Sequence, residues 1–308
     1  MTTFKEISGQ LIRTLSSDPA NPQEGQIWYN STIGVLKGYE NIGGAWASGG
    51  NMGSGRYSMA SAGTQTAALG AGGYTTTTVA LTEEYNGSTW TAGGNLGAAK
   101  YGAFGAGTQT AAFAAGGGSP TTATEEYDGS SWSPGGNLNT ARTIGGSCGT
   151  LTAGLAFGGI ITVDSAATES YNGSSWTSVN SMNTARRFLA GAGIQTAALG
   201  FGGNPSTATE SWNGTSWTTV NSMNTSRLGG GGAGTQTAAI AFAGLTTATE
   251  YYNGTTWTSQ SGTMSRSTRQ LGSAGTQIAA LGFGGRPTSA LTEEWNDPSF
   301  GTKTLTTS

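Results

Sequence analysis

RLGGGGAGTQTAAIAFAGLTTATEYYNGTTW, residues 227–257, reads as one unit of a structural repeat. A cation, Arg227, opens an apolar, Gly-rich run. TQTAAIAFAG follows, then a short Thr-rich loop, then TEYYNGTTW ending at Trp257. Four short β-strands fit this pattern: A in the Gly-rich run, B in AAIAFAG, C around Thr249–Tyr252 and D around Trp257. Asn253-Gly254 lies between C and D. It reads as a two-residue type I′ hairpin, because that turn needs positive φ.

Working outward, the closing tryptophan recurs at Trp46, Trp90, Trp132, Trp176 and Trp217, with spacings of 44, 42, 44, 41 and 40 residues up to Trp257. Phe300 falls at a seventh position, another 43 along. The C–D turn recurs as Asn86-Gly87, Asp128-Gly129, Asn172-Gly173 and Asn213-Gly214, and Asn296-Asp297-Pro298 is a degenerate last copy. Four short strands repeated at about 40–44 residues make a propeller blade, so the expected fold is an all-β propeller. The glycines of strand A suit the crowding at a propeller axis, and the outer Trp suits the wider gap between blades.

Residues 56–300 supply six complete units. QIWYN, GVLKGY and AW within residues 26–48 read as strands B, C and D of another, with strand A in residues 7–16. The expectation is seven four-stranded blades. The alternative is six blades with residues 1–50 as an attachment segment and 51–308 as the propeller. TKTLTT near the C-terminus is expected to join the first blade and help close the ring.

Composition narrows the function. Only 9% of residues are charged and net charge is −3; an ordinary globular domain carries about 25% charged residues. The chain has no basic run, so the electrostatic footprint of a nucleic-acid binder is missing. No apolar stretch reaches the ~18 residues of a membrane helix, and no secretory signal is legible. Histidine is absent, which removes the commonest general base and zinc ligand. The lone Cys148 stands where sister repeats carry Ala or Gly and is expected to be a small buried hydrophobe. No cofactor or metal is expected, and no enzyme activity. A sialidase-type Asp box is off by one residue, since Asp128 directly precedes Gly129.

The repeat units resemble kelch repeats. The resemblance rests on a Gly-Gly pair ending strand B, an aromatic a few residues after a Glu, and a Trp five residues further on. The pairs are Gly72-Gly73, Gly116-Gly117, Gly158-Gly159, Gly202-Gly203 and Gly284-Gly285, with Ala243-Gly244 departing. A second resemblance covers the whole chain. SSDPANPQEGQIWYNSTIGVLKGY (residues 16–39) and the GTQTAALGFGG…ATEEYNGSTW repeats are similar to tail-fibre and other virion-associated proteins of tailed phages, especially marine ones. That resemblance implies a virion structural or host-recognition role. It also implies attachment to other virion proteins through the N-terminal region, and many copies or a homo-oligomer per particle.

The repeats also align with one another. The A–B turns are nearly invariant: GTQTAA at 63–68, 107–112 and 234–239, GIQTAA at 193–198, GTQIAA at 275–280. The B–C connections differ in length and chemistry, reading YTTTTVAL (74–81), GSPTTA (118–123), IITVDSAA (160–167), NPSTA (204–208), LTTA (245–248) and RPTSAL (286–291). They share one face with the D–A connections. Binding residues concentrate on loops held by a rigid scaffold, so recognition of a host glycan or protein is assigned to this face. Candidate residues there are Tyr74, Ile160, Asp164, Asn204 and Arg286.

A cation also precedes each strand A: Arg56, Lys100, Arg142, Arg186 and Arg227, with Thr268 and its neighbour Arg269 in the sixth copy. Each strand C carries a Glu two residues before its aromatic: Glu83, Glu125, Glu169, Glu210, Glu250 and Glu293. Two readings stay open. They form a ring of ion pairs knitting blades together, or the cations line the axial mouth and hold acidic ligands, as the kelch resemblance implies.

Overall fold

The computed structural model describes residues 12–19, 26–40, 43–297 and 301–305. The chain forms two compact units, one of residues 45–296 and one of residues 1–44 with 297–308. Among the described residues every regular element is a strand, and the strands form seven four-stranded sheets, as the repeat predicts.

Six of these sheets make the first unit, a β-propeller. In blade 3, strands Gly146–Thr150, Ala153–Phe157, Thr168–Tyr171 and Trp176–Val179 run antiparallel in sequence order. The A strands of the other blades are Ala60–Thr64, Phe104–Gly107, Leu189–Ile194, Gly231–Gly234 and Gly272–Gly275 (blades 1, 2, 4, 5 and 6). Each packs against the next, and that of blade 6 packs against that of blade 1, so the ring closes with six. The seventh of the expected four-stranded sheets belongs to the second unit.

The closing strand comes from the opposite end of the unit. Ala45–Ser48 pairs with Thr292–Asn296 and is strand D of blade 6. The expected seventh Trp-equivalent, Phe300, lies outside the described residues, and Trp46 occupies the position in its place. AW is therefore not strand D of an N-terminal blade.

In the second unit, strands Arg13–Leu15, Ile27–Asn30, Val35–Glu40 and Gly301–Leu305 form one sheet in that order. The last strand confirms that the C-terminal run joins the N-terminal sheet. The first strand runs parallel to the second, whereas the first two strands of every propeller blade are antiparallel. The part of the expected strand A at residues 7–11 lies outside the described residues. Asp18 holds this sheet: it accepts from Trp28 Nε1 (3.1 Å) and Asn30 Nδ2 (2.9 Å) and pairs with Lys37 Nζ (2.7 Å). Three bonded donors, Lys37 first, keep its carboxyl below the usual carboxylate range.

Packing in the propeller follows the distance from the axis. Strand B of blade 3 is buried along most of both faces, because blades cover each side, while strand D is buried only at its Trp. Strand A stays narrow. A Cβ on Gly105 would sit 2.6 Å from Ser61 N, and one on Gly191 would sit 2.5 Å from Ser147 O. Neither backbone approach leaves room for a side chain.

Adjacent blades are joined by two recurring contacts. The Trp of each strand D donates from Nε1 to a strand-C Thr of the preceding blade: Trp90 to Thr292, Trp132 to Thr82, Trp176 to Thr124, Trp217 to Thr168, Trp257 to Thr209 and Trp46 to Thr249, at 2.8–3.1 Å. Five of them also pack on a Phe of that blade. Trp46, for example, lies 4.8 Å from the Phe242 ring centroid and Trp217 lies 4.9 Å from Phe157. The second contact explains the invariant A–B turn. Gln195 reaches back to the Gly154 and Tyr171 carbonyls of the preceding blade (3.1 and 2.6 Å), and Gln65, Gln109, Gln236 and Gln277 do the same. In blade 3 Leu151 takes the Gln position and packs on the neighbouring apolar core instead.

The C–D turn differs from the expected two-residue hairpin. Tyr252 pairs directly with Trp257, so the loop is four residues long. Asn253 Oδ1 accepts from Thr255 N (2.9 Å) and Thr256 N (2.8 Å), and only Gly254 takes positive φ, at 91°. The side chain supplies the turn that a second left-handed residue would otherwise supply.

Candidate functional site

The five cations singled out before strand A are buried. Arg142 shows the pattern: its Nη groups donate to the Gly158 and Ala167 carbonyls (2.8 and 2.7 Å) and pair with Glu169 (2.9 Å). Arg186 pairs with Glu210 at 3.0 Å, Arg227 with Glu250 at 2.9 Å, and Arg56 with Glu83. Lys100 sits 3.4 Å from Glu125 and donates to Ala123 O at 3.0 Å. Burial pulls each of these five below its ordinary value, against the partner carboxylate that raises it. Cation and Glu belong to the same blade. These pairs therefore tie strands A, B and C of one blade together and do not bridge neighbouring blades.

Their placement bears on the axial reading too. The axial cavity, about 210 Å³, is lined by Gly, Ala, Ser, Met59, Leu189, Leu271 and Cys148, with no cation in its wall. Cys148 is buried there as a small hydrophobe, its thiol pushed up to about 12 by burial. At the variable-face end the backbone closes into a ring. Ser58, Gly102, Ile144, Phe188, Gly229 and Gln270, one per blade, all take positive φ of 52–66°. Each N–H donates to the carbonyl of its neighbour in the preceding blade, at 2.6–2.9 Å, until Ser58 N meets Gln270 O.

In the sixth blade Thr268 replaces the cation, and Arg266 takes over from two residues upstream. It lies 3.4 Å from Glu293 and donates to the Gly284 and Leu291 carbonyls. The other copies place the cation seven residues before the Gly of the A–B turn, and that fixed spacing hides this substitution in the sequence. Its consequence is that Arg269 is not needed for the ion pair.

The variable face carries different chemistry in each blade. Two positions recur: the residue after the cation and the residue after the Gly-Gly pair. They face each other across isolated bridges as Tyr57–Tyr74, Thr143–Ile160 and Arg269–Arg286. Tyr74 also lies 6.0 Å from Tyr101 of blade 2, and 5.4 Å from Tyr57. The Arg286 guanidinium stands 5.5 Å over the Tyr57 ring. Arg286, Tyr57, Tyr74 and Tyr101 thus form a continuous row across blades 6, 1 and 2. A second cluster crosses blades 3 and 4: Asn204 Nδ2 donates to Asp164 Oδ2 at 2.5 Å, and Arg187 lies 3.5 Å from Asp164.

Of the loop residues chosen from sequence, Tyr74 and Arg286 join the first cluster, Asp164 and Asn204 the second. Ile160 meets the second cluster only through its backbone, bridged to Thr143 and Asp164. Sequence reasoning missed Tyr57, Tyr101 and Arg187, and noted Arg269 only as the neighbour of Thr268. Each follows a singled-out position by one residue, and aligning the repeats at cation-plus-one would have shown a column reading Tyr, Tyr, Thr, Arg, Leu, Arg.

Among the described residues no group of three or more His, Cys, Asp or Glu is placed to hold a metal, and no helix is long and apolar enough to cross a membrane. No protein-family model matches the chain, and no curated protein matches its sequence.

Proposed function

We propose that this protein is a non-enzymatic recognition propeller of a phage particle, kelch-like in its repeats, which contacts the host surface through its variable face. The observation that carries this reading is the contrast between a uniform framework and its variable connections. The ion pairs, the Trp and Gln contacts and the C–D turns repeat with little change, while the side chains of the B–C and D–A connections differ from blade to blade and gather into two clusters. A scaffold held this uniformly needs no such diversity for its own stability, and loops on a rigid frame are where binding concentrates. The phage assignment rests on the resemblance of the N-terminal stretch and repeats to tailed-phage virion proteins. Many copies on one particle convert weak sites into firm attachment by avidity.

The test has two steps. Peptide mass spectrometry and antibody labelling of purified particles should place the protein at a tail or fibre tip. Exchanging the 74–81 loop for the sequence of 204–208 should then change attachment without changing Tm. Absence from particles overturns the virion assignment; label confined to the capsid shell or an internal ring favours a structural component packed against other virion proteins.

A further inference from the structure

The propeller's charges are almost completely accounted for. Among the described residues of this unit, seven cations lie within 4 Å of a carboxylate: Arg56, Lys100, Arg142, Arg186, Arg187, Arg227 and Arg266. The remaining acids are also engaged. Glu84, Glu126 and Glu294 accept from the hydroxyls of Tyr127, Tyr171 and Tyr85, and Asp128 accepts from its own turn. Two cations are left over. Arg269 and Arg286 have no carboxylate partner, and they are directly opposed across an antiparallel bridge, with Arg286 N donating to Arg269 O at 2.8 Å. Like charges directly opposite on paired strands are destabilising. The pairing is not required by the fold, because Arg266 already serves Glu293.

What lies beside them is equally specific. Arg286 is exposed and its guanidinium is held over Tyr57. From there the row continues through Tyr74 and Tyr101, all three half-buried, with ring centroids 5.4 and 6.0 Å apart. Two arginines opposed across one backbone bridge, at the end of a tyrosine row, make a place for one anionic group attached to a flat, hydroxyl-bearing body. Arginine suits a carboxylate because its planar fork donates two parallel hydrogen bonds. Tyrosine supplies a rigid apolar face with a polar tip at low entropic cost.

We infer that Arg269, Arg286, Tyr57, Tyr74 and Tyr101 form a binding site for an acidic saccharide, with the two arginines receiving its carboxylate. This rests on the proposal that the variable face is a recognition surface, and it names the ligand class for one cluster of that face. Arginine clusters also serve acidic peptides, but a saccharide is favoured because three tyrosine rings extend the site beyond the arginines, and no strand edge is offered for a peptide to pair with. This patch is built from loop residues and offers rings and guanidinium groups instead. A single carboxylate site of this kind is weak alone and suits a multicopy array.

The experiment uses the full chain and calorimetric titration with a galacturonic acid hexasaccharide, beside cellohexaose as the neutral probe and hexaglutamate as the peptide probe. The expected result is binding of the galacturonate alone, weakened about tenfold or more by R286Q, or by R269Q, and by Y74A, with Tm unchanged. Arg286 is exposed, so R286Q serves as the decisive variant if R269Q disturbs folding. Equal binding of cellohexaose removes the role of the anion, and equal or tighter binding of hexaglutamate replaces the saccharide with an acidic peptide. No heat with galacturonate at about 1 mM, or binding that R286Q leaves intact, overturns the inference. If it fails while exchange of the 74–81 loop still alters attachment, the recognition proposal stands and only the ligand class falls.

Discussion

Replacing Glu169 by Gln tests whether the buried cations are structural. Glu169 is 1% exposed and accepts from four donors: Asn139 N (2.6 Å) and Asn139 Nδ2 (2.9 Å) at Oε2, Thr140 N (3.3 Å) and Arg142 Nη2 (2.9 Å) at Oε1. An amide keeps only one accepting oxygen. Whichever way it turns, its NH2 faces donors, and Arg142, itself fully buried, loses its counter-charge. Breaking a buried pair from one side costs about 3–5 kcal/mol, whereas replacing both partners with well-packed apolar groups is often near neutral. E169Q is therefore expected to lower Tm by about 6–20 °C, at about 2–4 °C per kcal/mol for a unit of this size. The double variant R142M/E169L removes the unpaired charge but strands the Asn139 and Thr140 N–H groups and the Gly158 and Ala167 carbonyls, so it should recover only part of that loss. The assay is thermal and urea unfolding of the three proteins followed by Trp fluorescence. A drop below about 1 kcal/mol for E169Q would refute the structural assignment; it would mean the carboxylate is not holding the arginine, and the cation would again be available as a ligand group.

Three further outcomes follow from the same contacts. Trp46→Ala removes the closing strand's anchor between Phe242 and Trp295 and should cost about 3–5 kcal/mol in denaturant unfolding; a cost no larger than that of an exposed substitution would show that residues 45–48 do not close the ring. Gln195→Ala deletes two bonds to the preceding blade and should cost about 1–3 kcal/mol. Gln195→Leu should cost less, because Leu151 fills that place in blade 3, and a reversed order sinks the equivalence. Asp128 is held down to about 2 by donors from Ser131 and Ser130. Its folded value is depressed, so its stabilising contribution is present above the unfolded value near 4 and is lost as pH falls towards 2. Against D128N, whose sister copies carry Asn, the native protein should lose Tm faster between pH 4 and pH 2; parallel curves would contradict the assignment.

Much of this protein is written locally. The Trp period, the Gly-rich A strands and the Asn-Gly turns set the strands and the four-stranded unit, because each is a short-range requirement of backbone and packing. The paired cation and Glu columns were likewise visible in the repeats. Their connectivity was not, since nothing in a spacing tells whether a carboxylate from strand C meets its own blade's arginine or the next one's. Trp46 illustrates the same limit. Its position in the Trp series was legible, but whether its strand completes an N-terminal sheet or the last blade depends on how the ring closes, a contact spanning 249 residues between Trp46 and Trp295. Arg266 stands in for Thr268 within blade 6 itself, beside Glu293, but the backbone ring at the axis and the row from Arg286 to Tyr101 are decided by the same closure. It brings blades 6 and 1 side by side, and only in that arrangement does Arg286 stand over Tyr57 at the end of a row of three tyrosines.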